Sequence, residues 1–106
     1  MEARKAKVYI SGPITGYSDY IEHFSKTETM LKNLGFEVMN PSKLSLIMPK
    51  STSWQGYMDL ALCMLRQCDI IFMLEGWENS KGATIEYNYA LGKNMDIMFQ
   101  KDINLK

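Results

Sequence analysis

The chain has 106 residues and a mass of 12.2 kDa, the size of a single domain spanning 1–106, and a chain of this length can bury one modest core without staples. Its 46% hydrophobic and 23% charged residues exclude a disordered tail or a fibre. Twelve Lys+Arg balance twelve Asp+Glu, so no excess positive field attracts a nucleic-acid polymer or an anionic membrane, while small anions held by local groups stay possible.

In chain order, Met1 to Lys7 is basic, but the apolar run behind it (Val8-Tyr9-Ile10) is far too short for a signal-peptide core. No stretch approaches the roughly 20 apolar residues of a membrane helix. The expectation is a soluble, cytoplasmic protein. Lys7 to Ser11 (KVYIS) predicts a first strand, stopped by Gly12-Pro13 with Gly16 following. From about Asp19 to Leu34 the recurrence of Ile21, Phe24, Met30, Leu31 and Leu34 predicts a helix, ended by Gly35 as a left-handed cap. Phe36 to Met39 predicts a second strand, stopped by Asn40-Pro41. Ser42 to Ser53 has no clear period and reads as the longest loop.

Trp54, Tyr57, Ala61, Met64, Leu65 and Cys68 then form one stripe of a helix of about fourteen residues. Cys63 and Cys68 are too few for a disulfide scaffold, have no histidine nearby to suggest zinc, and read as reduced, buried thiols. Ile70 to Leu74 is a continuous apolar strand of the kind buried on both faces of a parallel sheet. After the loop Glu75–Ser80, Lys81 to Lys93 is helical, with Ala83, Tyr87, Ala90 and Leu91 on one face, and Asp96 to Gln100 is a last strand. The nine methionines are scattered through apolar segments as core filling.

Strands alternating with helices define an α/β fold: a small doubly wound parallel sheet of about four strands in the order 2-1-3-4, flavodoxin- or Rossmann-like. Ligands of such sheets sit beyond the carboxyl ends of the strands, where the order reverses. That point lies between the first and third strands, at the loops Gly12–Gly16 and Glu75–Ser80.

Those loops carry the unusual residues. Ser11-Gly12-Pro13-Ile14-Thr15-Gly16 can bring backbone N–H groups close to a ligand, or can be no more than a tight turn; it matches neither G-x-G-x-x-G nor a P-loop. Asn79 or Ser80 can cap the helix from Lys81, and that N-terminus, with Ser80, Lys81 and the open turn at Gly82, suits a phosphate or carboxylate; plain capping explains the same residues. Glu86 borders the face of Ala83, Tyr87 and Ala90, where partial desolvation would raise its pKa, unless it reaches solvent past the helix edge. Tyr9 can reach it by a hydrogen bond from below, or is a strand aromatic. Asp59 falls opposite the apolar stripe with Gln55 and Arg66, the pattern of a solvated face. His23 reads as a surface or core-edge residue, and no Ser-His-Asp or Cys-His set assembles.

Together, Val8-Tyr-Ile-Ser-Gly-Pro-Ile-Thr-Gly16, Tyr57-Met-Asp-Leu60, Cys68-Asp69 leading into an apolar strand, and Gly76-Trp-Glu-Asn-Ser-Lys-Gly-Ala-Thr-Ile-Glu86 resemble the nucleoside 2-deoxyribosyltransferase superfamily. The likeness is closer to a branch of small bacterial and phage proteins related to the 2′-deoxynucleoside 5′-phosphate N-hydrolases, and it runs through Met95. It implies Glu86 as the nucleophile that attacks C1′, Asp59 as the acid that protonates the departing base, and Tyr9 as the residue that positions the nucleophile. It implies a substrate site around Ser11, Gly12, Pro13, Gly16, Ser80, Lys81 and Gly82, no metal or organic cofactor, a nucleoside or nucleotide as small-molecule partner, and a homo-oligomer, expected as a dimer. Ser80 stands where transferases acting on free nucleosides carry an aspartate, and serine there suits a 5′-phosphate. The chain also ends at Lys106, before the longer C-terminal segment of the transferases. The first departure favours a nucleoside 5′-monophosphate over a free nucleoside, and the second favours hydrolysis over base transfer, with non-catalytic nucleotide binding as the alternative.

Overall fold

Strand β1 (Lys7–Ser11) is the axis of the sheet. It pairs in parallel with β2 (Glu37–Met39) on one side and β3 (Ile70–Met73) on the other, and β4 (Asp96–Phe99) pairs in parallel with β3. The strand order is 2-1-3-4, as the alternation of strands and helices predicts. The computed structural model describes residues 5–14 and 18–103.

Side chains alternate across β1 with the period of two that a pleated strand imposes. Val8 and Ile10 pack with Phe72 and Leu74 beneath Phe24 and Leu31 of α1 (Tyr20–Asn33). Tyr9 points the other way, into a cluster with Ile71, Met73, Ala61 and Leu65 of α3 (Trp54–Arg66), and Ala83 and Ala90 of α4 (Lys81–Gly92). One helix therefore covers one face and two cover the other, which is why the run at Ile70–Leu74 is apolar throughout. Helix α1 ends as predicted: Gly35 takes a positive φ of 99°, a conformation that strains any residue with a Cβ. Ser53 and Ser80 cap α3 and α4, accepting from the N–H groups of Gly56 (3.0 Å) and Ala83 (3.2 Å).

The segment 42–53 differs from the expected loop. A 3-10 turn over Pro41–Lys43 runs into the single helical turn α2 (Leu44–Ile47). The Asn40 side-chain carbonyl starts it by accepting from Ser42 N (3.0 Å) and Ser42 Oγ (2.6 Å), with Pro41 at the first helical position. Elements this short leave no period to read, and the same holds for the 3-10 turns at Trp77–Asn79 and Gln100–Asp102. Some residues expected on apolar faces are exposed at helix edges, Leu34 and Leu91 among them. Cys63, expected to be buried, is exposed because it lies off the apolar stripe of α3; Cys68 is half-buried, and both thiols are free.

A buried carboxylate ties α1 to the segment after β2. Glu28 Oε1 accepts from Asn40 Nδ2 (2.9 Å), and Oε2 accepts from Lys32 Nζ (2.7 Å) and Lys43 Nζ (3.1 Å). Burial pushes this carboxyl up, but the bonds from Lys32, Asn40 and Lys43 outweigh it and bring it from 4.5 down to about 2. Among the described residues no helix is long and apolar enough to cross a membrane.

Candidate active site

Helix α4 lies close against the sheet because its inner face is built of small residues. Ala83 and Ala90 are buried against Tyr9, Ile71 and Met73. At Gly82 a Cβ would stand 3.1 Å from Met58 Sδ, so this turn also fits closely against α3. Glu86 lies three residues after Ala83 and four before Ala90, on the same inward face, and is only 6% exposed. The expectation of a partly desolvated carboxylate therefore holds over that of a glutamate reaching solvent.

The strand beneath supplies its partners. Tyr9 and Ser11 are two apart on β1 and so project from the same face. Tyr9 Oη donates to Glu86 Oε2 at 2.5 Å, and Ser11 Oγ donates to Glu86 Oε1 at 2.6 Å. Each carboxylate oxygen thus receives one hydroxyl, and no cation bonds to it among the described residues. Burial pushes the Glu86 carboxyl up from 4.5 to about 7, and the bonds from Ser11 and Tyr9 limit the rise. The same burial, then the neighbouring Glu86, raises the Tyr9 phenol well above its ordinary 10. At neutral pH the phenol stays a donor, and the carboxylate is poised between its two protonation states.

Above Glu86 opens a cavity of about 810 Å³, within the range of small-molecule sites. Glu86 and Tyr9 contribute to its base. Tyr20 and Phe24 of α1, with Trp54, Tyr57 and Met58 of α3, give it aromatic and apolar walls, and Ser42, Ser45, Thr52 and Ser80 add hydroxyl-bearing side chains. Lys81 and Glu86 are the charged residues of this lining. Lys81 Nζ lies 4.7 Å from the centroid of the Trp54 ring, so the N-terminal turns of α3 and α4 meet through a cation–π contact.

The structure brings most of the sequence-predicted site together. Tyr9, Gly12, Pro13, Ser80, Lys81, Gly82 and Glu86 all line the cavity, at the switch point between β1 and β3. Ser11 lies beneath it, 1% exposed, with its hydroxyl turned to Glu86. Gly12 has a packing reason of its own, since a Cβ there would come within 2.8 Å of Leu74 Cβ and Cδ1. The Ser80 hydroxyl serves as the cap of α4 while the residue also faces the cavity. Asp59 is not brought in: it is exposed on α3, its Oδ1 accepts from Gln55 Nε2 at 2.8 Å, and it is not part of the cavity lining. Gly16 lies outside the described residues. His23 is exposed and pairs with Asp19 at 2.9 Å.

Sequence reasoning did not assign the outer wall. Trp54 and Tyr57 read as apolar stripe, Pro41 as a strand stop, and Ser42, Leu44 and Ser45 as part of a featureless loop, yet all of them line the cavity. The available signal was Asn40-Pro41-Ser42, a capping sequence at the carboxyl end of β2. Among the described residues no group of three or more His, Cys, Asp or Glu could hold a metal ion.

The four-stranded order and the helices on both faces are shared with a solved 2-deoxyribosyltransferase from Bacillus psychrosaccharolyticus. It superposes with a TM-score of 0.71 over 89% of this chain and 71% of that one, at 22% identity. The two chains thus share a fold. The chain itself belongs to the family described as a domain of unknown function, DUF4406, which matches residues 6–99. No curated protein matches the chain.

Proposed function

We propose that this protein cleaves the N-glycosidic bond of a (deoxy)nucleoside 5′-monophosphate with Glu86 as nucleophile, and that hydrolysis is favoured over transfer to a second base. The observation that carries this reading is a buried carboxylate, each oxygen held by a hydroxyl of β1, at the base of a cavity of nucleotide size. The similar structure is described as a 2-deoxyribosyltransferase useful for nucleoside synthesis, which supports glycosyl chemistry on this fold.

In the proposed reaction a Glu86 oxygen bonds to C1′ as the C1′–N bond breaks, and the electron pair leaves with the base nitrogen, which takes a proton. Water then attacks C1′, passing its proton to the carboxylate that protonated the base, and the C1′–O bond to Glu86 breaks to release the Glu86 carboxylate. The 5′-phosphate faces the N-terminus of α4, where backbone N–H groups, Lys81 and the helix dipole favour an anion. The base lies among Tyr20, Phe24, Trp54 and Tyr57, whose rings favour stacking over base-specific hydrogen bonds. Asp59 is proposed as the proton donor to the base. It follows Met58, which lines the cavity, and it must leave Gln55 to act.

The test is incubation with the four deoxynucleoside 5′-monophosphates and chromatography for free base. Release is expected with the native chain, abolished by Glu86→Ala and lowered about 10²- to 10⁴-fold by Asp59→Asn, the usual range for loss of a general acid. Because the nucleophile must be ionised, kcat/KM is expected to fall as pH drops through about 7. No base release from any of the four removes this reading. The position of Asp59 outside the cavity favours the second reading, a protein that binds nucleotides without turning them over; calorimetry then shows tight binding with no product.

A further inference from the structure

We propose that Ser11 is a positioning residue for Glu86: its hydroxyl, acting with that of Tyr9, fixes the orientation of the carboxylate in the cavity and hydrogen-bonds its ionised form. This deepens the reading of Glu86 as a nucleophile, on which its catalytic part rests. The family resemblance places Ser11 among the substrate-contacting residues, but the geometry assigns its hydroxyl elsewhere. Ser11 is 1% exposed and does not line the cavity, and its Oγ lies 2.6 Å from Glu86 Oε1. It closes β1, where it pairs with Met73 of β3, so the strand register fixes where this hydroxyl stands.

The division of labour follows from the two oxygens. Tyr9 binds Oε2 and Ser11 binds Oε1, so neither donor substitutes for the other, and a carboxylate held at both ends cannot rotate about its last torsion without breaking a bond. One lone pair on each oxygen stays available for the reaction. The other titratable groups facing this site are Lys81 on the same helix and Tyr20 and Tyr57 across the cavity on α1 and α3. Ile71 and Met73 of β3 add none, Cys68 acts on Tyr9, and Asp59 is turned to Gln55. None of these changes when Ser11 is replaced, so removing its hydroxyl isolates one donor.

The experiment is a ¹³C NMR titration of the Glu86 carboxyl in the native chain, Ser11→Ala and Ser11→Cys, without substrate. Both variants are expected to titrate about one pH unit higher than the native chain, because the ionised form loses a hydrogen bond. In assays on deoxynucleoside monophosphates, the acid limb of kcat/KM moves up by the same amount while KM stays nearly constant. Ser11→Cys keeps the side-chain shape with a slightly larger, weakly donating thiol and provides the measurement should Ser11→Ala not fold. An unchanged Glu86 titration overturns the proposal, and so does a rise in KM with that titration unmoved, which returns Ser11 to the substrate. The NMR measurement needs no turnover, so a shifted titration in a chain that releases no base upholds the positioning role while the nucleophile reading fails.

Discussion

Glu86 is held where its charge is unfavourable. A carboxyl that rises from 4.5 to about 7 on folding favours the neutral form in the native state. Its contribution to stability is therefore full below pH 4.5 and lost as pH rises to about 7, a change of roughly 3 kcal/mol. Glu86→Gln removes the charge and keeps an acceptor, so it is expected to stabilise the chain by about 1–2 kcal/mol at pH 8 and by nothing below pH 4.5. Urea denaturation of both proteins at the two pH values measures this, and an equal midpoint at pH 8 contradicts it. The conflict between charge and burial was partly legible in the sequence, because Ala83 and Ala90 stand on the same helical face as Glu86. The donors were half legible: Tyr9 could be named as a partner, whereas Ser11 needed the sheet register to show which way its hydroxyl points.

The elements around the site are tied by polar contacts that amphipathic patterns do not reveal. Glu28 falls on α1 among exposed charges, and only the fold shows it receiving Asn40, Lys32 and Lys43. With its carboxyl lowered to about 2, Glu28 contributes stability that is complete above about pH 4.5 and lost as pH falls to about 2. Glu28→Gln is expected to cost about 2 kcal/mol at pH 7 and almost nothing near pH 2, read from thermal or urea midpoints. Because Asn40 also starts the turn into α2, the same variant is expected to loosen the cavity wall at Ser42. At the end of β1, Gly12→Ala places a methyl 2.8 Å from Leu74 Cβ, an atom that cannot swing away. A loss of about 1–3 kcal/mol is expected, measured by equilibrium unfolding. The strands and long helices were legible because they repeat at two or 3.6 residues; α2 and the 3-10 turns are too short to repeat at all.

At the scale of the whole molecule, topology carried more than any motif. The order 2-1-3-4 follows from alternating elements, and it places a ligand site at the reversal between β1 and β3, where the cavity is found. The extent of the cavity was not legible, because its outer wall comes from 41–54, which crosses the carboxyl edge of the sheet only once the chain has folded. That segment carries Leu46 and Ile47 at 73% and 76% exposure. A homodimer is proposed, and light scattering is expected to give a mass well above the 12.2 kDa of one chain; a monomer at working concentration contradicts it.

The two hydroxyls that grip Glu86 belong to one interior strand with a neighbour on each side. The carboxylate proposed as nucleophile is thereby anchored on an interior strand, while the walls of the cavity come from the helices and short turns around it. Under the proposed function, such a partition lets substrate choice drift, through changes in the outer wall, without retuning the carboxylate that attacks C1′.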